Sequence, residues 1–294
     1  MRIANNIPAL NTALTLKSTD RLVVDAMQKI STGSKINSAK NDPAGLAIAN
    51  KLGVQVTGLN RASQNSMDGI SLIQTTDGSL NEVSNMIQRM RELAVQAASD
   101  VLDPSDKNKV QMEVNQLIEE INANSFRTEF NRIKVLSGEA SFIVPMIAAE
   151  SNQEIGPMYL QIGPNYNQHI PVNIPRLDSE TLGLVEYSGD LMKIIPDLGS
   201  QTGASNAITI FDNALYEVSH VRSILGAYQN RLEHTVMNLD SASVNTEIAR
   251  SRIQDTDMAA SMTEYAQNNV RYQAGIAILS QANLRPQQIL SLLQ

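Results

Sequence analysis

Residues 211–232 read FDNALYEVSHVRSILGAYQNRL, and the apolar positions Phe211, Ala214, Val218, Val221, Leu225, Tyr228 and Leu232 alternate steps of three and four. The alternation continues through Thr235, Leu239, Ala242, Thr246, Ala249 and Ile253. A stripe of this period is one seam of a helix and demands a facing helix. A second seam lies far upstream. Leu52, Leu59, Ile73, Leu80, Ile87 and Ala94 are separated by multiples of seven, and Ile48, Ala62, Val83, Met90 and Ala97 fall on the companion register. The simplest partner for one seam is the other. The expected fold class is therefore mainly α: a long antiparallel coiled-coil helical rod from both chain ends, with a small β-hairpin region in the middle.

Composition agrees. The 294 residues include no Trp, and aromatics make up only 4%, whereas a large globular core draws on aromatic bulk. There is no Cys, which removes disulfides and thiolate chemistry. A net charge of -7 without a basic tract argues against nucleic acid as a partner. No apolar run reaches bilayer length and residues 1–6 lack a signal-peptide core, so membrane insertion is not expected.

Local signals divide the chain. A first helix runs from Pro8 to Thr32, with Gly33 as its stop. Asp42-Pro43 and Asp103-Pro104 are cap-and-proline starts for helices over about 43–99 and 104–124, and a third long helix covers about 204–253. Gly53, Gly58, Gly69 and Gly78 lie inside the first of these. Each weakens a free helix by about 1 kcal/mol, so they mark a break or a close contact. The period changes to two over about 130–175, where Tyr159 to Ile162 and the alternation Ile170, Val172, Ile174 read as strands, with Pro171 and Pro175 confining the second to an edge. Arg176 to Ser205 reads as turn-rich, with residues 199–203 as an exposed tip. A last helix reaches about Asn283, after a hinge at Asp255 and Asp257, and Pro286 is expected to interrupt it.

No chemistry of an enzyme is visible. His169, His220 and His234 lack metal-ligand spacing, no Gly-rich phosphate loop occurs, and no catalytic, metal or cofactor site is nominated. The terminal stripes are more informative. Leu10, Leu14, Val23 and Ile30 at one end, and Ile276, Ile278, Leu290, Leu292 and Leu293 at the other, have no globular body to bury them. They are the candidate assembly residues, expected to order only against copies of the chain. The alternative is that the ends pair with one another in a monomeric bundle. A heterologous contact repeated from subunit to subunit makes a filament.

Specific motifs sharpen this. Residues 31–37 read STGSKIN, 41–48 read NDPAGLAI, 58–65 read GLNRASQN and 88–96 read QRMRELAVQ; the C-terminal third has LGAYQNRL at 225–232, SRIQD at 251–255, QAN at 281–283 and LSLLQ at 290–294. In this order they resemble bacterial flagellin over about 1–138 and 206–294, with a short middle similar to core flagellins of spirochaetes. The resemblance implies a terminal inner-tube helical domain (1–42 and 255–294) and a rod domain (43–254). It implies a structural subunit exported by the flagellar type III apparatus and self-assembling into a homopolymer for motility. The alternatives are the hook-filament junction protein or a monomeric coiled-coil adaptor. Implied partners are the flagellar cap, hook-associated proteins, an export chaperone and, through Arg89, Leu93 and Glu113, host Toll-like receptor 5. The implied location is the extracellular filament, or the periplasm in a spirochaete. Arg89 and Leu93 are one turn apart and read as lying off the seam, free to face a receptor or a neighbouring protofilament. Ser200, Thr202 and Ser205 are candidate O-glycan acceptors. One departure is Arg132, where many flagellins have Gly after Phe-Asn, which weakens the hairpin signal at Phe130-Asn131.

Overall fold

The computed structural model describes residues 6–99, 101–137, 158–188 and 191–292, giving the backbone alone for 187, 188, 191–193 and 286–292. The chain is mainly helical and divides into two compact units, residues 57–242 and residues 1–56 with 243–294.

In the 57–242 unit the two seams meet. It contains most of α2 (Pro43–Ala97) and α4 (Gln201–Gln254). Ser63 Oγ donates to Asp240 Oδ1 at 2.9 Å, Asp77 pairs with Arg222 at 2.8 Å, and Arg91 pairs with Asp212 at 2.6 Å. Partner numbers fall as α2 numbers rise, so the helices are antiparallel. Exposed pairs of this kind contribute about 0–1 kcal/mol each. Burial contributes more, about 1.5–3 kcal/mol for each large apolar side chain. Leu80, Val83, Ile87 and Met90 of α2 and Phe211, Val218 and Leu225 of α4 are all inaccessible to solvent. The seams do not stay covered along their whole length, since Ile48 is 51% exposed and Ala249 is also exposed.

Helix α3 (Pro104–Arg127) joins the same core through Val110, Val114, Ile118 and Ile121. Asp103 caps it, its side chain accepting from Ser105 N–H, and Pro104 fills the first turn. It runs three residues beyond the expected end at Asn124, closing where Thr128 N–H bonds Asn124 O at 2.9 Å. The hairpin β1 (Glu129–Phe130) and β2 (Ile133–Lys134) forms without the usual glycine. Asn131 and Arg132 both take positive φ, 51° and 66°, as the two central residues of the turn that favours Asn-Gly do.

β3 (Met158–Gln161) and β4 (His169–Val172) make a second antiparallel ribbon, seated on α2 where glycines replace side chains. A Cβ on Gly69 would lie 2.6 Å from Leu160 Cδ1, and one on Gly58 would lie 2.7 Å from Pro164 Cβ. These two glycines mark close contacts rather than a break, and α2 is continuous through them. The segment read as turn-rich holds another strand pair, β5 (Val185–Ser188) and β6 (Leu191–Ile194). The expected tip at 199–203 is instead the start of α4: Ser200 Oγ accepts from Gly203 N–H at 3.1 Å, capping the helix three residues before its expected start.

In the unit formed by the two ends, α1 (Ile7–Thr32) and α5 (Met258–Leu292) pair within the chain. The expectation that they order only against other copies is corrected, because each supplies the other with a partner. They are antiparallel: Asn6 Nδ2 reaches Ala282 O at 2.9 Å, and Lys29 Nζ lies 3.8 Å from Glu264. Gly33 stops α1 in the left-handed conformation. Beyond it, Lys35 N–H donates to Gln254 O at 2.8 Å and Thr256 N–H to Gly33 O at 3.0 Å, tying the linker to the junction of α4 and α5. Asp257 then caps α5, accepting from Ala259 N–H and Ala260 N–H.

Pro286 does not interrupt α5, contrary to the sequence expectation. A proline inside a helix leaves the carbonyl four residues earlier without its donor. Here that carbonyl is Ala282 O, and the Asn6 amide takes the vacant acceptor. The same side chain caps α1 through Oδ1, which accepts from Ala9 N–H at 3.2 Å.

Candidate assembly and contact surfaces

The α1–α5 pair is narrow where it closes. Ala9 and Ala26 are the buried residues of α1, and they meet a helix whose buried positions include Ser261 and Asn268. A Cβ on Gly275 would lie 3.0 Å from Leu16 Cδ1. Small residues at the contact leave the large ones outside. Leu10 is 62% exposed and Ile278 57%, with Leu14 and Ile276 similarly open. Val23 and Ile30 are half-buried. The side chains of Leu290 and Leu292, and all of Leu293, lie outside the described residues. Between the two helices runs a cleft of about 440 Å³ walled by Asn11, Leu16, Thr19 and Arg271.

Of the rod residues, Arg89 and Glu113 are brought together by α2 and α3. Arg89 Nη2 lies 3.0 Å from Glu113 Oε1, and Nη1 lies 3.2 Å from Glu92. The hydrogen bond to Glu113, then that to Glu92, raises the guanidinium pKa above its already high ordinary value. Leu93 does not join this surface. It is only 2% exposed, within the cluster that includes Val110, Val114 and Ile118, so the expectation that it faces a partner is corrected. Covering by α3 widens the buried face of α2 beyond a two-helix seam. Ser200, Thr202 and Ser205 are all exposed, and the Ser200 hydroxyl serves as the α4 cap.

A surface that sequence reasoning missed lies between α2 and the β3–β4 loop. It is a cleft of about 530 Å³ lined by Gly58, Arg61, Ala62 and Asn65 on one side and by residues of the stretch 161–169 on the other. Among the described residues no three His, Cys, Asp or Glu side chains cluster to hold a metal ion, and no helix is long and apolar enough to cross a membrane.

One unit packs the two long helices on a shared apolar core, and the other pairs the two chain ends while leaving large apolar side chains open; together these features define a self-associating structural subunit. The models of the bacterial flagellin N-terminal and C-terminal helical regions match residues 3–141 and 208–293. The chain is 41% identical to a flagellin of Bacillus subtilis (strain 168), aligned over the whole of both. It is 39% identical to the flagellar filament core protein flaB2 of Brachyspira hyodysenteriae, again over the whole of both. The solved structure of a putative flagellar hook-associated protein from Vibrio parahaemolyticus superposes with a TM-score of 0.57 at 12% identity, covering 73% of this chain and all of that one, and shows the shared fold. This chain belongs to the bacterial flagellin family. It is a structural, non-enzymatic subunit of the flagellar filament, where it self-polymerises for motility.

Proposed function

We propose that the α1–α5 pair is the part of this flagellin that joins subunit to subunit, and that the functional boundaries lie at 42/43 and 254/255, where the long helices stop. The observation that carries this is the exposure of Leu10, Leu14, Ile276 and Ile278 on a helix pair closed by small residues. About half of each side chain is still open, so burying the rest between subunits contributes about 1–2 kcal/mol apiece, more than an exposed ion pair at about 0–1 kcal/mol. Val23, Ile30, Leu290, Leu292 and Leu293 extend the same role. The test is Leu10→Asn with Leu14→Asn, followed by light scattering and electron microscopy. Soluble protein of unchanged helicity that no longer forms filaments supports the reading, and normal filaments refute it.

The wider setting follows from the family. The chain is exported by the flagellar type III apparatus with the help of a chaperone. It is added beneath the cap and joined to the hook through hook-associated proteins. The filament is extracellular, or periplasmic if the source is a spirochaete, and protease accessibility on intact cells separates the two. On the rod, Arg89 and Glu113 form the face offered to Toll-like receptor 5 and, in the filament, to the next protofilament, with Leu93 supporting it from beneath. Thr202 and Ser205 offer exposed hydroxyls to O-glycans, and Ser200 does so only by giving up its cap.

A further inference from the structure

The cleft between α2 and the β3–β4 loop is built to hold its shape. Ile162 N–H donates to Gln168 O at 2.9 Å, and Asn165 N–H donates to Gln168 Oε1 at 2.9 Å. Gln161 Nε2 crosses the loop to Gly163 O at 2.7 Å and Asn165 O at 2.8 Å. Asn65 Nδ2 fastens the strand to the helix through Gln161 O at 3.2 Å, and Pro164 rests on Gly58. Onto this fixed loop the chain places Tyr166, 99% exposed, next to Asn167 at a φ of 65°. A large ring held in water by a rigid loop gains nothing for the fold.

The charge of the cleft is one-sided. Among the described residues, Arg61 is the only Lys or Arg that lines it, and no Asp or Glu does. Arg61 Nη1 touches Gln64 Oε1 at 3.1 Å, and no carboxylate is paired with it among the described residues. The whole chain, by contrast, carries a net charge of -7.

We propose that this cleft is a socket for a carboxylate-bearing surface of a second copy of the chain, with Tyr166 as the aromatic anchor and Arg61 as the counter-ion. The occupant is a copy because the chain self-polymerises and because its 30 Asp and Glu against 23 Lys and Arg make a second copy a ready source of carboxylates. Tyr and Arg are the residue types that dominate binding at protein interfaces, and a preformed site loses little freedom on binding. The inference rests on the filament role but not on the terminal helices being its main contact.

The test places the photo-cross-linking residue p-benzoylphenylalanine at Tyr166 and irradiates sedimented filaments and monomer at equal concentration. The expected result is a covalent dimer in filaments alone, with the neighbour's captured peptide containing Asp or Glu. Filaments that yield no intersubunit adduct overturn the proposal. Tyr166→Ala and Arg61→Ala give a readout independent of the bulky probe. Each is expected to leave the helical circular dichroism unchanged and raise the critical concentration about tenfold, the scale of losing one anchor. Arg61→Ala should also flatten the dependence of that concentration on salt. Unchanged critical concentrations in both variants overturn the proposal. Should chains lacking residues 281–294 still polymerise and cross-link at Tyr166, the terminal reading fails and the socket stands. If truncation abolishes filaments while intact filaments give no adduct, only the socket fails.

Discussion

Replacing glycine by alanine at four helix-interior positions should change stability in opposite directions. Alanine is favoured over glycine in a helix by about 1 kcal/mol. At Gly78 and Gly226 nothing lies within 4 Å of the added Cβ, so the full gain is available. At Gly69 the methyl would meet Leu160 Cδ1 at 2.6 Å and Leu232 Cδ1 at 3.4 Å, both flexible side-chain ends. At Gly58 it would meet Pro164 Cβ at 2.7 Å and Pro164 Cα at 3.3 Å, where only movement of the loop relieves the contact. Overpacking of this kind costs about 1–3 kcal/mol. Subtracting the propensity gain leaves Gly58→Ala destabilised by about 0–2 kcal/mol, with Gly69→Ala near the lower end. Gly78→Ala and Gly226→Ala should be stabilised by up to about 1 kcal/mol. Thermal unfolding followed by far-ultraviolet circular dichroism resolves this, since about 1 kcal/mol moves the midpoint by about 2–4 °C in domains of this size. A Gly58→Ala midpoint that rises as far as that of Gly78→Ala would refute the claim that the β3–β4 loop is seated on that glycine.

Other expectations concern single contacts. Asn6→Asp keeps the α1 cap but loses the donor to Ala282 O, whereas Asn6→Ala loses both, so fraying of the two ends in hydrogen exchange should rise from wild type to Asp to Ala; equal exchange in all three would contradict the latch. Leu93→Ala should lower the stability of the 57–242 unit by about 2–5 kcal/mol, while Arg89→Ala, at a solvent-exposed pair, should leave it essentially unchanged. Any receptor response lost by Arg89→Ala at unchanged midpoint then reports the surface itself, and a Leu93→Ala chain as stable as wild type would mean that Leu93 is not buried. Arg132→Gly relieves a left-handed arginine and should stabilise the β1–β2 turn by about 1 kcal/mol; a lowered midpoint would count against it.

The rod was legible because its seams are long: from Phe211 to Leu232 each apolar residue marks the same face, and all but the half-buried Tyr228 are buried. What the two seams did not reveal was the third helix on the same core. The stripe Val110, Val114, Ile118, Ile121 had no partner in a two-helix reading, and that unassigned stripe was the signal that α2 has a wider buried face and that Leu93 points into it. The β5–β6 pair was missed although Gly189-Asp190 separates two four-residue runs, a two-residue hairpin signal. Pro286 misled because local rules break a helix there, while the compensating donor, Asn6, comes from the opposite end of the chain. Of the contact surfaces, Leu10 and Ile278 were legible as apolar residues without a core. The cleft at Tyr166 was not, because it is made by a loop resting on Gly58 across about a hundred residues of chain, a proximity that no local pattern encodes.

The most direct test of the account is negative-stain electron microscopy of the purified chain beside a chain lacking residues 281–294, after seeding, with circular dichroism on both. The full chain should form long tubes, and the truncated chain should form none while retaining the rod helices. Normal tubes from the truncated chain would contradict the claim that the paired ends hold the filament together.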